Sequence, residues 1–172
     1  MAIPKKLRLF TVFVDGVNHI GKVPSVTLPK VTRKTEDYQG GGMLGSVAVD
    51  LGLDSGALDA SMIVGGVVEE LILKYGGDID EMRLRFVGEF YSGGTSSLLE
   101  AEMRGRITEI DPGDAKQGDD TNPHLRLIKN TYYKLSVDDK PLLEIDLLNF
   151  IYKRNGENLY PDRIMSALGL GS

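Results

Sequence analysis

Cysteine and tryptophan are both missing from this 172-residue chain, and histidine occurs only twice, as His19 and His124. Without cysteine there is no disulfide framework, no thiolate nucleophile and no cysteine-ligated zinc or iron–sulfur centre. Two imidazoles are too few for a histidine-rich metal centre within one chain. Long apolar runs are also lacking: none approaches the roughly 20 residues that cross a bilayer. The opening MAIPKKLRLF carries a basic pair, but the apolar stretches after it are short and broken by Asp15 and Asn18, unlike a signal peptide. A basic excess is absent as well. Twenty Lys and Arg stand against 25 Asp and Glu, a net charge of −5 that excludes a nucleic-acid-binding module of the basic-surface type.

What is present describes one ordinary folded domain, residues 1–172. A hydrophobic fraction of 41% with 26% charged residues supports a core and argues against disorder. Glycine is the outlier, with 21 residues against an average usage of roughly 7%, so turns, bulges or close backbone contacts are numerous.

The dominant hydrophobic period is two, which predicts a mainly β fold, a sandwich or barrel. LRLFTVFV (7–14) followed by Asp15-Gly16-Val17-Asn18 reads as a hairpin. Val47–Leu51 and Ala57–Val64 read as a second strand pair about the Gly52–Gly56 turn. Met82–Tyr91 alternates with Met82, Leu84, Phe86 and Phe90 on one face. Ser96–Ile110 puts Leu99, Ala101, Met103, Gly105 and Ile107 opposite Glu100, Glu102, Arg104 and Arg106. At about 3.3 Å per residue that segment reaches roughly 50 Å, so it either bends between sheets or pairs with another subunit. Leu125–Val137 and Leu142–Tyr152 predict a last hairpin around Asp138-Asp139-Lys140.

Helix signals are few. Val67, Val68, Leu71, Ile72 and Tyr75 form one stripe, with Glu70 and Lys74 spaced for an i,i+4 ion pair and Gly76-Gly77 as the stop. Pro161 to Leu168, ending at Gly169, predicts a second short helix.

Two polar segments read as long loops, Lys30–Gly45 and Glu109–Asp120 (extended to residue 123 as a contact loop); the second holds five acids and one base. Loops of this length are seldom filler, and contact with another chain is the leading reading. Catalytic chemistry finds little support. Gly40-Gly41-Gly42 leads toward a strand and not into a helix, unlike a phosphate-binding loop. The acids Asp111, Asp114, Asp119 and Asp120 lack the regular ligand spacing of a calcium loop. His19 and His124 have no partner at a suggestive spacing and read as surface or interfacial residues. Glu100/Glu102 and Glu144/Asp146 are same-face strand neighbours, which ordinarily make a polar face and not a hydrolase pair. We expect no enzyme and no cofactor or metal.

The residues then become familiar as a set. The stretch Phe10–Gly16, Leu28-Pro29-Lys30 with Thr32-Arg33-Lys34-Thr35, Tyr38-Gln39-Gly40-Gly41-Gly42-Met43 and Asp50-Leu51-Gly52-Leu53 resemble the major tail tube proteins of contractile-tailed bacteriophages and related R-type bacteriocin particles. Arg104–Gly113, Tyr132-Tyr133-Lys134-Leu135, Glu144-Ile145-Asp146 and Ala167-Leu168-Gly169-Leu170 continue the likeness in the family's order, with a departure near residues 54–66. The resemblance implies a β-sandwich-like protomer with a flanking helix and a short C-terminal helix. Such protomers form hexameric rings stacked into a hollow tube, through which DNA passes without being specifically bound. It also implies a tail sheath protein, a tape-measure protein and baseplate, initiator and terminator proteins as partners, a place in the virion tail, and assembly in the host bacterial cytoplasm. Carried onto this chain, Arg33, Lys34, Glu36, Asp37, Tyr38, Gly40, Gly41, Gly42 and Met43 are expected at a subunit interface, with Asp111 and Asp114 at a second one facing bases such as Lys5, Lys6 and Arg8. Six copies at −5 carry roughly −30 per ring, a sign that repels a polyanion, and Glu100, Glu102, Glu144 and Asp146 are expected on the lumen. The alternatives are a bacteriocin-like or secretion-type tube, such as the hemolysin-coregulated proteins, and a monomeric β-barrel that binds a small ligand.

Overall fold

The period-two segments are strands, and their apolar faces converge on one core. The computed structural model describes residues 3–118 and 123–170. In chain order the elements are β1 (Lys6–Val14), β2 (Val17–Asn18), β3 (Ser25–Thr27), β4 (Arg33–Tyr38), β5 (Val47–Leu53), β6 (Ala60–Gly65), α1 (Glu69–Ile72), β7 (Met82–Ser92), β8 (Thr95–Asp111), β9 (Pro123–Val137), β10 (Lys140–Asp146), β11 (Ile151–Arg154), β12 (Glu157–Asn158) and α2 (Asp162–Ala167). Antiparallel pairing builds a ten-stranded sheet in the order β12-β11-β10-β9-β8-β7-β1-β2, with β6 joined to β9 and β3 joined to β6. A separate two-stranded sheet holds β4 and β5. The fold is mainly β with two short helices, as the sequence predicts.

β7 shows the alternation most plainly: Met82, Leu84 and Phe86 are buried, while Arg83 and Arg85 face out. β8 matches it with Ala101, Met103 and Ile107 at 0–1% exposure. Val12 and Val14 of β1, Met62 and Val64 of β6 and Ile145 of β10 join the same cluster. β6 has no ladder to β1 or β7, so the sheet must curl for these residues to meet. β8 supplies the bend. Its full length is paired within the chain, to β7 and β9, with irregularities at Arg104/Gly105 and Ile107/Glu109; of the two readings of this segment, the bend holds.

Several local expectations are corrected. Val47–Leu53 pairs with Arg33–Tyr38, not with the segment after it, and Ala60–Gly65 pairs with β9 and β3. The reason is burial: Ala60, Met62 and Val64 form a continuous apolar face that only the core can accept, whereas β5 is largely exposed. Lys30–Gly45 is therefore not simply a loop, because its Arg33–Tyr38 part is a strand. Leu142–Tyr152 is two strands, broken by a turn at 147–150. After the first turn only Val17–Asn18 pairs back on β1. On α1 only Leu71 is fully buried, and Lys74 pairs with Asp15 at 2.6 Å instead of with Glu70. Burial pushes the Asp15 carboxyl up, but the Lys74 ammonium and the Arg83 N–H outweigh it and hold the group below its ordinary value.

Gly105 makes the central pairing possible. A Cβ there would lie 2.1 Å from the Lys129 carbonyl oxygen and 2.7 Å from Asn130 Cα, where backbone cannot yield cheaply. The close approach seats Asn130, whose Nδ2 donates to the Leu58 carbonyl at 2.9 Å. Gly105→Ala should therefore lower unfolding free energy by about 2 kcal/mol or more. Gly45→Ala, at a position with open space around it, should be near neutral; chemical denaturation of both variants checks this.

His19 is buried at 2% exposure, not a surface residue, because the turn after β2 folds it under α1, with Nε2 3.9 Å from Glu70. Burial pushes its pKa down, against a partial upward pull from Glu70. The unfolded chain then takes up a proton near pH 6.5 that the folded chain resists, so stability falls as pH drops below about 6.5. Denaturation between pH 7.5 and 5 should show that slope in the native chain and a shallower one in His19→Gln.

Candidate assembly surfaces

β4 and β5 form a ribbon that runs from Arg33↔Leu53 at its foot to Tyr38↔Val47 below its tip. The foot is well tied. Arg33 Nε donates to both Asp50 oxygens, at 3.1 and 2.8 Å, and its guanidinium lies 5.0 Å from the Tyr152 ring centre. The Asp54 N–H donates to the Thr32 carbonyl at 2.8 Å. The bond from Arg33, with the Gly52 N–H, holds the Asp50 carboxyl below its ordinary value. Above the foot both faces lie open: Lys34, Glu36, Asp37 and Tyr38 are exposed, and so are Leu44, Val47, Val49 and Leu51. At the tip the Met43 N–H donates to the Gly40 carbonyl at 3.2 Å, and Gly42 takes φ +86°. A two-stranded ribbon with no buried face is marginal in water on its own.

The second expected contact, the acidic segment, begins inside β8. Glu109 and Asp111 end that strand, and Asp111 Oδ1 accepts the Gly113 N–H at 2.9 Å. Asp114 is exposed on the loop beyond. Asp119 and Asp120 lie outside the described residues.

The outer face of the large sheet carries the expected lumen residues, and the register shows what sequence spacing hides. Lys153, Glu144, Lys134, Glu102, Arg85 and Phe13 stand directly opposite one another across β11, β10, β9, β8, β7 and β1. Positive and negative charges alternate along that row. Arg85 also donates to Glu100 at 2.5 Å and lies 5.3 Å from the Phe13 ring centre. Arg104 stacks over Tyr132 at 4.1 Å, and the Tyr132 hydroxyl donates to Glu144 at 3.2 Å. Burial, helped by Glu144, pushes that hydroxyl up to about 12. Phe13, Arg83, Arg85, Glu102, Arg104 and Tyr132 line a concavity of about 530 Å³. The face is thus mixed in charge, as Glu100, Glu102, Arg104 and Arg106 on one face of β8 already indicate, and the register adds Lys134, Lys153 and Arg85 from the neighbouring strands.

Asp146 is a correction. It is 3% exposed, so it cannot present a charge to a wall. Its carboxylate accepts the Leu148 and Asn149 N–H groups, both at 3.1 Å, and Asn149 Nδ2 at 2.8 Å, closing the 147–150 turn. Arg104 lies 3.5 Å away on the other side.

Beside that turn, α2 and β11 enclose an apolar groove of about 440 Å³, lined by Leu53, Phe150, Tyr152, Tyr160, Ile164 and Leu168 among others. Among the described residues no group of three His, Asp or Glu side chains is placed to hold a metal ion.

The charge row has a measurable consequence. Lys134→Glu would set three carboxylates side by side, with Glu102 and Glu144 directly opposite. It should cost about 1 kcal/mol of unfolding free energy, less in high salt. Lys134→Gln should cost less, and urea denaturation at two ionic strengths separates them.

Comparison with known proteins agrees with this geometry. Residues 4–169 match the phage tail tube protein FII family. The chain is 88% identical over 171 residues to the major tail tube protein of Serratia phage KSP20, covering 99% of each. It is 44% identical over 160 residues to the tail tube protein of Escherichia phage P2, covering 91% of this chain and 92% of that one. A match over nearly the whole chain, to structural proteins and not to enzymes, shows that this chain belongs to the phage tail tube proteins.

Proposed function

We propose that this chain assembles into hexameric rings that stack into the hollow inner tube of a contractile phage tail, through which DNA passes. The observation that carries the reading is the β4–β5 ribbon, which leaves Tyr38, Leu44, Val47, Val49 and Leu51 exposed with no covering element among the described residues. Neighbouring copies cover it through Arg33, Lys34, Glu36, Asp37, Tyr38, Met43 and the glycines Gly40, Gly41 and Gly42. A second support is the outer edge of β1. β2 pairs only with Phe13 and Val14, so the strand from Lys6 onward offers a ladder to another copy's sheet, and closing such edges into a ring removes them. The third is the placement of charge along β8. Lys6 pairs with Tyr91, near the start of β8, while Glu109 and Asp111 end it. Asp111 and Asp114 therefore meet Lys5 or Lys6 only between copies, as in stacking.

In this reading the outer sheet face lines the bore, with Glu100, Glu102 and Glu144 on the wall. Most bases of this face have an acid within the same copy: Arg85 has Glu100, Arg104 has Asp146, Lys134 stands between Glu102 and Glu144, and Lys153 stands opposite Glu144, while Arg83 stands opposite Arg104. The paired cations gain less from phosphates than free ones would, which limits counterion release as a polyanion passes. The outside of the tube then meets the sheath, and its ends meet the baseplate and terminator proteins, with the tape-measure protein inside during assembly in the host cytoplasm.

Removing residues 38–43 should abolish tube formation while leaving the ten-stranded sheet folded. Electron microscopy together with circular dichroism of the purified protein checks this, and normal tubes from the shortened chain would refute the role of the ribbon.

A further inference from the structure

Two of the uncharged parts of this surface match. From Tyr38 to Val49 the ribbon tip contains no charged residue, in a chain where 26% of residues are charged. Leu44 there is fully exposed and Met43 is partly so. The second place is the groove between α2 and β11, whose only charged lining residue, Asp146, is already consumed by the 147–150 turn. Phe150, Ile164 and Leu168 on its rim are 48–65% exposed. A volume of about 440 Å³ is in the range that encloses a small apolar ligand, and it can take the side chains of Met43 and Leu44.

The two cannot meet within one copy. Leu53 lines the groove and Tyr152 stacks on Arg33, so the groove lies at the foot of the ribbon. The ladder from Arg33↔Leu53 to Tyr38↔Val47 carries the tip roughly 20 Å away, at about 3.3 Å per residue. We propose that the tip of one copy's ribbon, led by Leu44, docks in the α2–β11 groove of another copy. A contact between two different patches is heterologous, and it propagates as a closed ring or an open stack. Gly40, Gly41, Gly42 and Gly45 let the tip backbone conform to the receiving surface. The inference rests on the assembly reading above and names the receiving surface for the ribbon.

The absence of cysteine makes the test direct. The full chain carrying Leu44→Cys and Leu168→Cys is assembled, treated with a mild oxidant and run on a non-reducing gel. The expected result is a ladder of covalent multimers, with none from a control pairing Leu44→Cys with Val67→Cys, an exposed position near α1. Assembled tubes that cross-link only in the control, or in neither, overturn the docking while leaving the assembly reading standing. If the native chain forms no tubes, the assembly reading itself fails, and the docking with it. Should the double-cysteine chain not assemble, Leu44→Asp and Ile164→Asp decide. Each should raise the concentration at which tubes appear at least tenfold with the circular dichroism spectrum unchanged, and assembly of either at the native concentration overturns the proposal.

Discussion

The pairing of β8 with β9 is the constraint on which the rest of the molecule depends. β9 serves two neighbours besides β8: its first half pairs with β6 and its second half with β10. For both to lie against the same core, the β8–β9 ladder must change direction midway, and it does so at Arg104/Gly105 and Ile107/Glu109. The bend is compatible with a tight ladder only because Gly105 presents no Cβ to the Lys129 carbonyl. The curl then lets Met62 and Val64 meet Leu84 and Met103 in one cluster. It also leaves the charged sides of β7 to β10 facing outward as one concave surface.

That core uses the apolar side of the large sheet and leaves other apolar groups uncovered. Leu44, Val47 and Val49 on the ribbon, Phe150, Ile164 and Leu168 by the groove, and Leu7 and Leu9 on β1 all stay exposed. Scattered exposed apolar residues are ordinary, but contiguous patches mark interaction surfaces. Many of them lie on a free-standing ribbon, a partly unpaired strand edge and the surroundings of a six-residue helix, and others lie around α1. A protein that worked alone would have little reason to keep all three.

Sequence reading recovered what the side-chain pattern of a single segment encodes. Alternation announced β7 and β8, and Pro161 opened α2, whereas α1 stops at Ile72, short of the expected Gly76-Gly77 stop. The order of motifs gave the family. What it missed depends on partners far along the chain. RKTEDY (33–38) carries no apolar period, so β4 was invisible until its ladder to Val47–Leu53 appeared. His19 looks like a turn residue and becomes buried only because α1 covers it. Asp146 sits in phase with Glu144 on β10, yet the turn that follows folds over it. The mixed charge of the sheet face was legible on β8 itself, where Glu100 and Glu102 share a face with Arg104 and Arg106. Which charges of β7, β9, β10 and β11 stand opposite them appears only through the register.

The net charge of −5 therefore has to reside elsewhere, and its location follows from the same register. Glu69, Glu70, Asp78, Asp80 and Glu81 outnumber Lys74 on the segment around α1, and Arg106 of β8 lines the same concavity as Glu70, Lys74 and Glu81. The Gly76 N–H donates to the Ile107 carbonyl, and Tyr75 bridges to Ile107, which brings this segment beside the end of β8. There Glu109 and Asp111 add their charge, just before Asp114. The acid excess thus gathers at one end of the long strand and not across the concave face. A mixed face suits the wall of the proposed tube, because Arg85, Arg104 and Lys134 already have acids beside them and the alternating charges offer no uniform field to oppose entry. An acidic end suits a boundary between successive copies, since it repels its own kind and accepts a surface carrying Lys5 and Lys6. In the proposed tube that asymmetry favours one stacking direction, because an acid-to-acid meeting is penalised while an acid-to-base meeting is not.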